Sequence, residues 1–470
     1  MCYNNQKVHL YRYRLQQEAI RLLKYIHLTD ELEAGIRNGM FQQGSKLPSI
    51  QTLAKRYGYS KSTVLAALND LVRRHMIYSV PRSGYYVVQR NSRGEGKECV
   101  MIDFATSAPD PDLFPYLDFQ HCINKAIDMY KNDLFLYGTP QGLPSLIKVI
   151  HRQLADSQVF AQERNIVITS GVQLALAVLT TLPFPNGKKT ILIEQPGYHL
   201  YIDHLLTHGL PVQGIYRTAQ GIDMNRLEEL FKTGDIKFFY TIPRMHSPLG
   251  ASYTPQQKKE IVELAHKYDV YVVEDDHMVD LEQDSKSDPL FAYDMDSRVI
   301  YLKSLSKIIF PGLRIGIVVL PDSLTELFIR YKRSIDIDSS MLSQGALEIY
   351  IQSGMFARHK EQLRSLYFSR AKRLDAALRR ENERSDGVFI YYPPKHPRIY
   401  THLVLEEHLS VPQIMKQSKK SSIILEPMDK HYLPGYLQRN LIKLNASHVP
   451  EERIDTGITQ LAEILRKQKA

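Results

Sequence analysis

The sequence predicts a multidomain α/β protein in which a small, basic, largely helical domain precedes a larger domain built on a mostly parallel sheet. Residues 1–90 contain 14 Lys and Arg against 5 Asp and Glu, whereas residues 91–470 contain 46 of each. From about residue 100 onward, short apolar runs alternate with helical patterns, which is typical of such a sheet. A length of 470 residues leaves room for about three domains.

The first ninety residues have the order of a winged helix-turn-helix. Apolar residues at helical spacing predict a first helix over 19–38, followed by short helices over Ile50–Tyr57 and from Lys61 to about His75. Gly58-Tyr59-Ser60 forms the turn between these two, with Ser60 as the helix cap. Residues 76–88 alternate around a Pro and a Gly and predict two strands with a basic tip.

This order suits double-stranded DNA, because the second helix of the pair enters the major groove with its N-terminus first. The local excess of positive charge favours the same polyanionic partner. The residues expected to contact DNA are Ser49, Gln51, Ser60, Lys61, Ser62, Thr63 and Arg82. The alternative is a small helical domain used for protein contacts.

The stretch LPSIQTLAKRYGYSKSTV, residues 47–64, resembles the winged helix of GntR-type regulators. Gln51 stands where that family usually has a phosphate-binding arginine, and Lys61 stands where it has another. The resemblance implies DNA binding but does not indicate the operator sequence.

The domain boundaries follow from changes in composition. Residues 1–18 form an N-terminal extension, residues 19–88 the DNA-binding domain and residues 89–99 a polar linker, QRNSRGEGKEC. Residues 100–470 form the second domain, whose part from about 381 predicts a smaller α+β lobe. A long helix is predicted from about Met341 to Arg380. The candidate strands of the large sheet are Ile166–Thr169, Thr190–Ile193, Lys237–Thr241, Val270–Glu274, Val299–Leu302 and Ile315–Leu320.

Polar side chains follow three of these strands and have the chemistry of a pyridoxal phosphate (PLP) site. A helix that opens at Ser170-Gly171-Val172-Gln173 offers free backbone N–H groups to a phosphate. The hydroxyls of Ser304 and Ser306 and the guanidinium of Arg314 suit the same anion. Asp275 can keep the pyridine nitrogen protonated, and Lys307 offers an amine for a Schiff base with the aldehyde. Tyr198 is placed to stack on the ring.

The second domain resembles fold-type I aminotransferases over about residues 100–465. The motifs that carry the resemblance are SLSKIIFPGLRIG (304–316), YGTPQGLPSL (137–146), VITSGVQLAL (167–176), EQPGYHLY (194–201) and VVEDDH (272–277). By this resemblance Lys307 carries the cofactor, Asp275 pairs with the pyridine nitrogen and Tyr198 stacks. Tyr137 would contact the phosphate of the other subunit, since the family's sites lie at a dimer interface.

Three positions depart from working aminotransferases. Ser247 replaces an asparagine and His277 replaces a tyrosine, both of which bond the cofactor's phenolic oxygen. Lys443 stands where the arginine for the substrate carboxylate is usual, which makes it the expected effector contact. A lysine offers a point charge without the two-pronged grip of arginine, so an amino-acid substrate would be held more loosely.

A GntR-like winged helix joined to an aminotransferase-like domain is the arrangement of the MocR family of bacterial transcription regulators. The resemblance implies a homodimer that binds DNA and senses PLP, or an amino compound that reacts with it. The alternative is a genuine aminotransferase with an accessory DNA-binding domain; the departures favour the regulator, with weak or partial transaminase chemistry at most.

The remaining features of the sequence indicate a cytoplasmic protein without a metal site. Cys2, Cys99 and Cys122 show neither disulfide nor metal spacing, which is typical of a reducing compartment. No apolar run approaches the roughly 18–20 residues needed to cross a bilayer, so no membrane is expected among the partners.

Overall fold

A computed structural model gives the structure of the chain, which divides into two compact units, Met1–Glu98 and Cys99–Ala470. The predicted N-terminal extension (1–18), the predicted linker (89–99) and Arg82 lie outside the described residues. The structure describes residues 25–36, 38–42, 44–74, 76–80, 83–88, 101–282, 284, 287–384 and 387–469.

The first unit is a winged helix-turn-helix. Its elements are α1 (25–36), α2 (Ile50–Tyr57), α3 (Lys61–Arg73), β1 (Ile77–Val80) and β2 (Gly84–Val87). The side chains of Ser49 and Ser60 cap α2 and α3 by accepting hydrogen bonds from Thr52 N and Thr63 N. The turn between α2 and α3 passes through Gly58, whose φ of 68° is left-handed. β1 and β2 pair antiparallel and form the wing.

An eight-stranded sheet forms the centre of the second unit. The strands are β4 (Ile166–Thr169), β5 (Thr190–Gln195), β6 (Val212–Thr218), β7 (Gly221–Ile222), β8 (Ile236–Thr241), β9 (Tyr271–Asp275), β10 (Val299–Ser304) and β11 (Gly316–Val319). Their spatial order is β4-β11-β10-β9-β8-β5-β6-β7, in which only β11 and β7 run against the other strands. Every residue of β4, β8, β9 and β11 is buried, as expected of a sheet covered on both faces.

Helices surround this sheet, and one predicted helix proves to be two. The helices are α4 (Tyr116–Tyr130), α5 (Pro144–Ala155), α6 (Val172–Thr181), α7 (His199–Thr207), α8 (Met224–Thr233), α9 (Pro255–Lys267), α10 (Asp322–Ile335), α11 (Met341–Gln352), α12 (Met355–Glu383), α13 (Val411–Lys420) and α14 (Glu451–Lys469). The prediction of one helix from Met341 to Arg380 is wrong because Gly354, with φ of 79°, separates α11 from α12. A glycine in the left-handed region ends a helix without steric cost.

Two smaller sheets complete the second unit. β12 (Phe389–Ile390), β13 (Tyr400–Leu405) and β15 (Leu441–Asn445) form an antiparallel sheet. β14 (Ile423–Ile424) pairs in parallel with β3 (Ile102–Asp103), so the start of this unit lies against its C-terminal part. No helix in the described part of the chain is long and apolar enough to cross a membrane.

The register of the large sheet brings the polar strand ends together. Gly316, the first residue of β11, pairs with Thr169 at the end of β4 and with Ser304 at the end of β10. Leu302 of β10 pairs with Asp275 at the end of β9. A Cβ atom on Gly316 would lie 2.7 Å from the carbonyl carbon of Gly171, so only glycine lets these turns approach so closely.

Candidate cofactor and effector site

A cavity of about 650 Å³ opens at this edge of the sheet. Its volume is that of a typical small-molecule site. Most of the residues predicted from the sequence line it, namely Gly171, Val172, Gln173, Tyr198, Ser247, Asp275, His277, Ser304, Ser306, Lys307, Arg314 and Lys443.

Lys307 lies in the turn after β10, with its ammonium donating to the carbonyl oxygen of Ser107. Burial, together with the nearby charge of Lys443, lowers the pKa of Lys307 to about 8. A neutral amine is the form that attacks an aldehyde, so Lys307 is a much better nucleophile near neutral pH than an exposed lysine.

This pKa predicts how loading with PLP depends on pH. The rate should rise with pH through about 8 and then level off, because the pKa of Lys307 is lowered and its neutral form dominates above that value. Stopped-flow absorbance on either side of pH 8 measures this rate. In Lys443→Gln the midpoint should move to higher pH, since a neighbouring positive charge is removed. A rate that keeps rising at high pH, as for an unperturbed lysine, would contradict the prediction.

Asp275 is a buried carboxylate with one oxygen unused by the protein. Its Oδ2 accepts a 2.8 Å hydrogen bond from Tyr240, whereas Oδ1 has no partner among the described residues. Burial raises the pKa of Asp275 to about 7. An unpartnered buried carboxylate oxygen is costly, and a protonated ring nitrogen would satisfy it. Tyr240 was not predicted; its place one strand away from Asp275 is a consequence of sheet order.

The turn between β4 and α6 and the loop before β11 lie together at one end of the cavity. Arg314 lies in the left-handed region with φ of 53°, and its Nη2 donates to the carbonyl oxygen of Ser170 at 3.1 Å. Gly171 has φ of 92°, and a Cβ there would lie 2.9 Å from Arg314 Nη2. The first amides of α6, the hydroxyls of Ser304 and Ser306 and this guanidinium are the donors that a phosphate dianion requires.

Alanine at Gly171 is expected to weaken the retention of PLP about tenfold or more. The new Cβ would displace the Arg314 guanidinium, and a hydrogen bond to a charged group contributes about 1.5–3 kcal/mol. Spectrophotometric titration with PLP measures the affinity.

A matched control for this substitution is Gly187→Ala. Gly187 also has a positive φ, 69°, but no heavy atom lies within 4 Å of its Cβ position. This variant should lose about 1 kcal/mol of stability and no PLP affinity. Equal PLP affinities of the two variants would contradict a role for the Gly171 turn in anion binding.

Lys443 is 3% exposed and already paired. Its Nζ donates to Glu426 Oε2 at 2.7 Å and to Ser107 Oγ at 2.8 Å. Ser107 and Glu426 were not predicted, although both line the cavity. No local motif marks Ser107, because it lies 336 residues from Lys443 along the chain. Glu426 lies 17 residues from Lys443, on the other side of a turn. An acid bound to Lys443 would have to displace or share the carboxylate of Glu426.

The remaining predicted groups, Tyr198, His277 and Ser247, line the same cavity. The hydroxyl of Tyr198 accepts a 3.3 Å hydrogen bond from Gln173, and burial raises its pKa to about 12. Burial and the charge of Lys307 lower the pKa of His277 to about 3, so His277 is neutral. Tyr400, also unpredicted, has its hydroxyl 3.4 Å from His277 Nε2.

Two predicted residues do not line the cavity of the chain. The hydroxyl of Ser170 donates to Asp336 at 2.7 Å, which leaves only its backbone amide for a phosphate. Tyr137 is 82% exposed on the surface. Its predicted contact with a neighbouring subunit's phosphate stays a prediction.

The residues expected to contact DNA cluster at the start of α2 and α3. Ser49, Gln51, Ser60, Lys61 and Ser62 are all exposed. Thr63 is the exception, since it is 4% exposed and its hydroxyl lies 2.8 Å from Ser60 Oγ. Thr63 therefore supports the helix cap, and its side chain faces the core of the unit instead of the exposed surface that carries the other predicted DNA contacts.

Comparison with known proteins assigns a family to each of the two units of the chain. Residues 24–87 match the gntR family of bacterial regulatory proteins, and residues 101–459 match the family of class I and II aminotransferases. The uncharacterized HTH-type transcriptional regulator YcxD of Bacillus subtilis is 53% identical over 438 residues, which cover 93% of this chain and 99% of YcxD. This chain belongs to the MocR family. The MocR arrangement, with a GntR helix-turn-helix before an aminotransferase-like domain, is thus confirmed.

The second unit of this MocR-family chain is also similar to enzymes. Aromatic-amino-acid aminotransferase 1 of Thermococcus litoralis is 27% identical, over 78% of this chain and 88% of that protein. The crystal structure of a multiple substrate aminotransferase from Thermococcus profundus superposes with a TM-score of 0.72 at 24% identity, covering 79% of this chain and 93% of that one. The fold of class I and II aminotransferases is associated with PLP dependence, and the cavity of this MocR chain has the donors that PLP needs.

Proposed function

We propose that this chain is a DNA-binding transcriptional regulator whose aminotransferase-like domain holds PLP on Lys307 and senses PLP or an amino compound that reacts with it. The observation that carries the proposal is the convergence of Lys307, Asp275 and Arg314 on one cavity, in a chain whose first unit is a winged helix-turn-helix. A helix-turn-helix has a ready use in a regulator and none in a free-standing enzyme.

Each end of the cavity would hold a different part of the cofactor. The α6 amides, Ser304, Ser306 and Arg314 would bind the phosphate, and Asp275 would hold a proton on the ring nitrogen. Tyr198 would lie against the ring, while His277 and Ser247 are candidates to face its phenolic oxygen. When bound, PLP supplies an aldehyde that forms reversible covalent links with amines, which is the chemistry a sensor of amino compounds needs.

The Lys443–Glu426 pair favours sensing over turnover. Lys443 presents one ammonium that is already shared with Glu426 and Ser107, whereas arginine would grip a carboxylate through two parallel hydrogen bonds. Catalysis depends on the orientation of the bound substrate, and a single shared point charge orients it less well. A binding site has no such requirement.

A homodimer is part of the proposal, because exposed apolar side chains are frequent on the segment of Tyr137 and on nearby elements. Gly138 N donates to the carboxylate of Asp338, so residues 135–138 lie beside the segment after α10. Exposed apolar side chains on these segments, on α4 and at the end of α10 include Tyr116 (62%), Leu117 (46%), Ile127 (38%), Met129 (49%), Phe135 (71%), Leu136 (66%), Ile335 (58%) and Ile337 (48%). Such an exposed apolar surface favours a second copy of the chain as its partner.

The proposed function is tested by coupling between the two units. Mapping the chromosomal sites that the protein occupies supplies an operator fragment, whose affinity is then measured without cofactor, with PLP, and with PLP plus a panel of amines and amino acids. At least one of these conditions should change the affinity by about 5–150-fold, which corresponds to a coupling free energy of about 1–3 kcal/mol.

The competing enzyme function predicts a different result. Sustained turnover of an amino donor with a keto acid, combined with an operator affinity that no ligand changes, would replace the regulator by an aminotransferase with an accessory domain. Sedimentation of the full chain tests the dimer. A protein that is monomeric at all concentrations would contradict the predicted contact of Tyr137 with the other subunit's phosphate.

A further inference from the structure

Three side chains of types that can ligate a metal lie together near Lys443, and two of them, His199 and Glu426, line the cavity. His199 is the first residue of α7, Glu426 follows β14, and His431 ends a short 3₁₀ helix over Asp429–His431. One potential ligand atom of each residue lies within 4.8 Å of the others. We propose that this His199–Glu426–His431 cluster binds a divalent transition metal of the zinc class.

The donor set selects the class of metal. Two imidazole nitrogens and one carboxylate suit zinc and its first-row neighbours, whereas magnesium and calcium prefer sites made of oxygen alone. Three protein ligands also leave a coordination position for water or for a group of a bound ligand, as in catalytic zinc sites.

His431 is held in the state that a metal ligand requires. The side chain is 1% exposed, and its Nδ1 lies 2.7 Å from the carbonyl oxygen of Gly197. A carbonyl can only accept, so Nδ1 carries the proton and the lone pair is on Nε2. Nε2 is buried and has no hydrogen-bond partner among the described residues. Metal-binding histidines commonly donate their other N–H to a carbonyl in this way.

Packing alone does not explain this arrangement. The rings of His199 and His431 contact each other edge to face, with centroids 5.1 Å apart. Such a contact stabilises the rings but leaves the buried Nε2 atom of His431 without a hydrogen-bond partner among the described residues, which is unfavourable. A metal ion would satisfy it.

Only small movements are needed to close the site. Ligands at about 2.0–2.2 Å from a tetrahedral zinc ion stand roughly 3.5 Å apart, so a spacing within 4.8 Å need shrink by no more than about 1 Å. His199 is partly exposed, and the side chain of Glu426 is 29% exposed, so both can change rotamer. Glu426 Oε2 bonds Lys443, which means that a bound metal would compete with the Lys443 ion pair.

Calorimetric titration of tag-free, cofactor-free full-length protein with Zn²⁺ tests the proposal. One ion should bind per chain. His199→Gln, Glu426→Gln and His431→Gln should each lower the zinc affinity about tenfold or more, because even the loss of a residue that only hydrogen-bonds a metal ligand typically lowers metal affinity by that much. His266→Gln is the matched control, since His266 is exposed and lies outside the cluster. X-ray absorption at the zinc edge should show nitrogen and oxygen ligands without sulfur.

Other results would overturn the proposal. These are an absence of zinc binding, a zinc affinity unchanged in His199→Gln and Glu426→Gln, or sulfur among the ligands, which would point to the cysteines. Because replacing the buried His431 could disturb folding, the thermal stability of each variant is measured by circular dichroism. The loss of zinc affinity in His199→Gln is the more direct result, since His199 is partly exposed and its replacement should not disturb the core. The test uses neither DNA nor PLP, so its failure is separable from failure of the proposed function.

Discussion

Replacement of Lys307 by glutamine is expected to abolish covalent attachment of PLP, and with it the visible absorption of the lysine-bound cofactor. Lys307 follows β10 at the cavity wall, and burial lowers its pKa to about 8, so it is the cavity amine best prepared to react with an aldehyde. The measurement is the spectrum of purified protein after reconstitution with PLP and removal of free cofactor. Residual PLP should then be released by dialysis, since only the phosphate and ring contacts would remain.

Lys443→Gln is the matched control, because Lys443 is the other lysine that lines this cavity. Its ammonium is committed to Glu426 and Ser107, so its loss should leave the absorption band in place while weakening any effect of a carboxylate-bearing effector. The reverse outcome, with the band lost in Lys443→Gln and kept in Lys307→Gln, would contradict the assignment of the anchor. A wild-type protein that stays colourless after reconstitution would contradict the cofactor itself.

Charge reversal in Lys61→Glu is expected to lower the affinity for operator DNA at least tenfold. The slope of log affinity against log salt concentration should also become less steep by about one for each chain, as expected for the loss of one phosphate contact. Lys61 is the first residue of α3, directly after the Ser60 cap. A lysine is electrostatically unfavourable there, because the N-terminus of a helix carries partial positive charge. A polyanion in contact with this end of the helix would reverse that penalty.

The same substitution separates DNA binding from stability. Glutamate at the start of α3 should stabilise the helix by about 0.3–1 kcal/mol, so thermal unfolding should occur at an equal or higher temperature while DNA binding is lost. Lys416→Glu makes the same charge change at an exposed position of α13 and should leave the affinity for DNA unchanged. Equal losses of DNA affinity in both variants would indicate a general charge effect. An unchanged DNA affinity in Lys61→Glu would contradict the proposal that the start of α3 contacts DNA.

Contiguous motifs account for what could be predicted of the fold. The caps and turn of the helix-turn-helix involve residues two or three positions apart, and all of them lie where the sequence places them. The strand ends of the second unit could be predicted to meet because parallel strands present their carboxyl ends at one edge of a sheet. The break between α11 and α12 was missed, since a single glycine inside a helical pattern does not reveal its φ.

For the site, the sequence by itself determined the chemistry of Lys307, Asp275 and the phosphate-binding groups, because each is carried by a short stretch with its own local conformation. The tertiary structure alone decided which groups those residues face. Tyr240 reaches Asp275, Ser107 reaches both lysines, and Glu426 pairs with Lys443. The physical reason is that Ser107 stands 200 and 336 positions from its two partners, so these contacts arise from the order and register of the sheets and not from any local spacing. The cluster formed by His199, Glu426 and His431 could not be predicted for the same reason, because His199 is far along the chain from the other two residues.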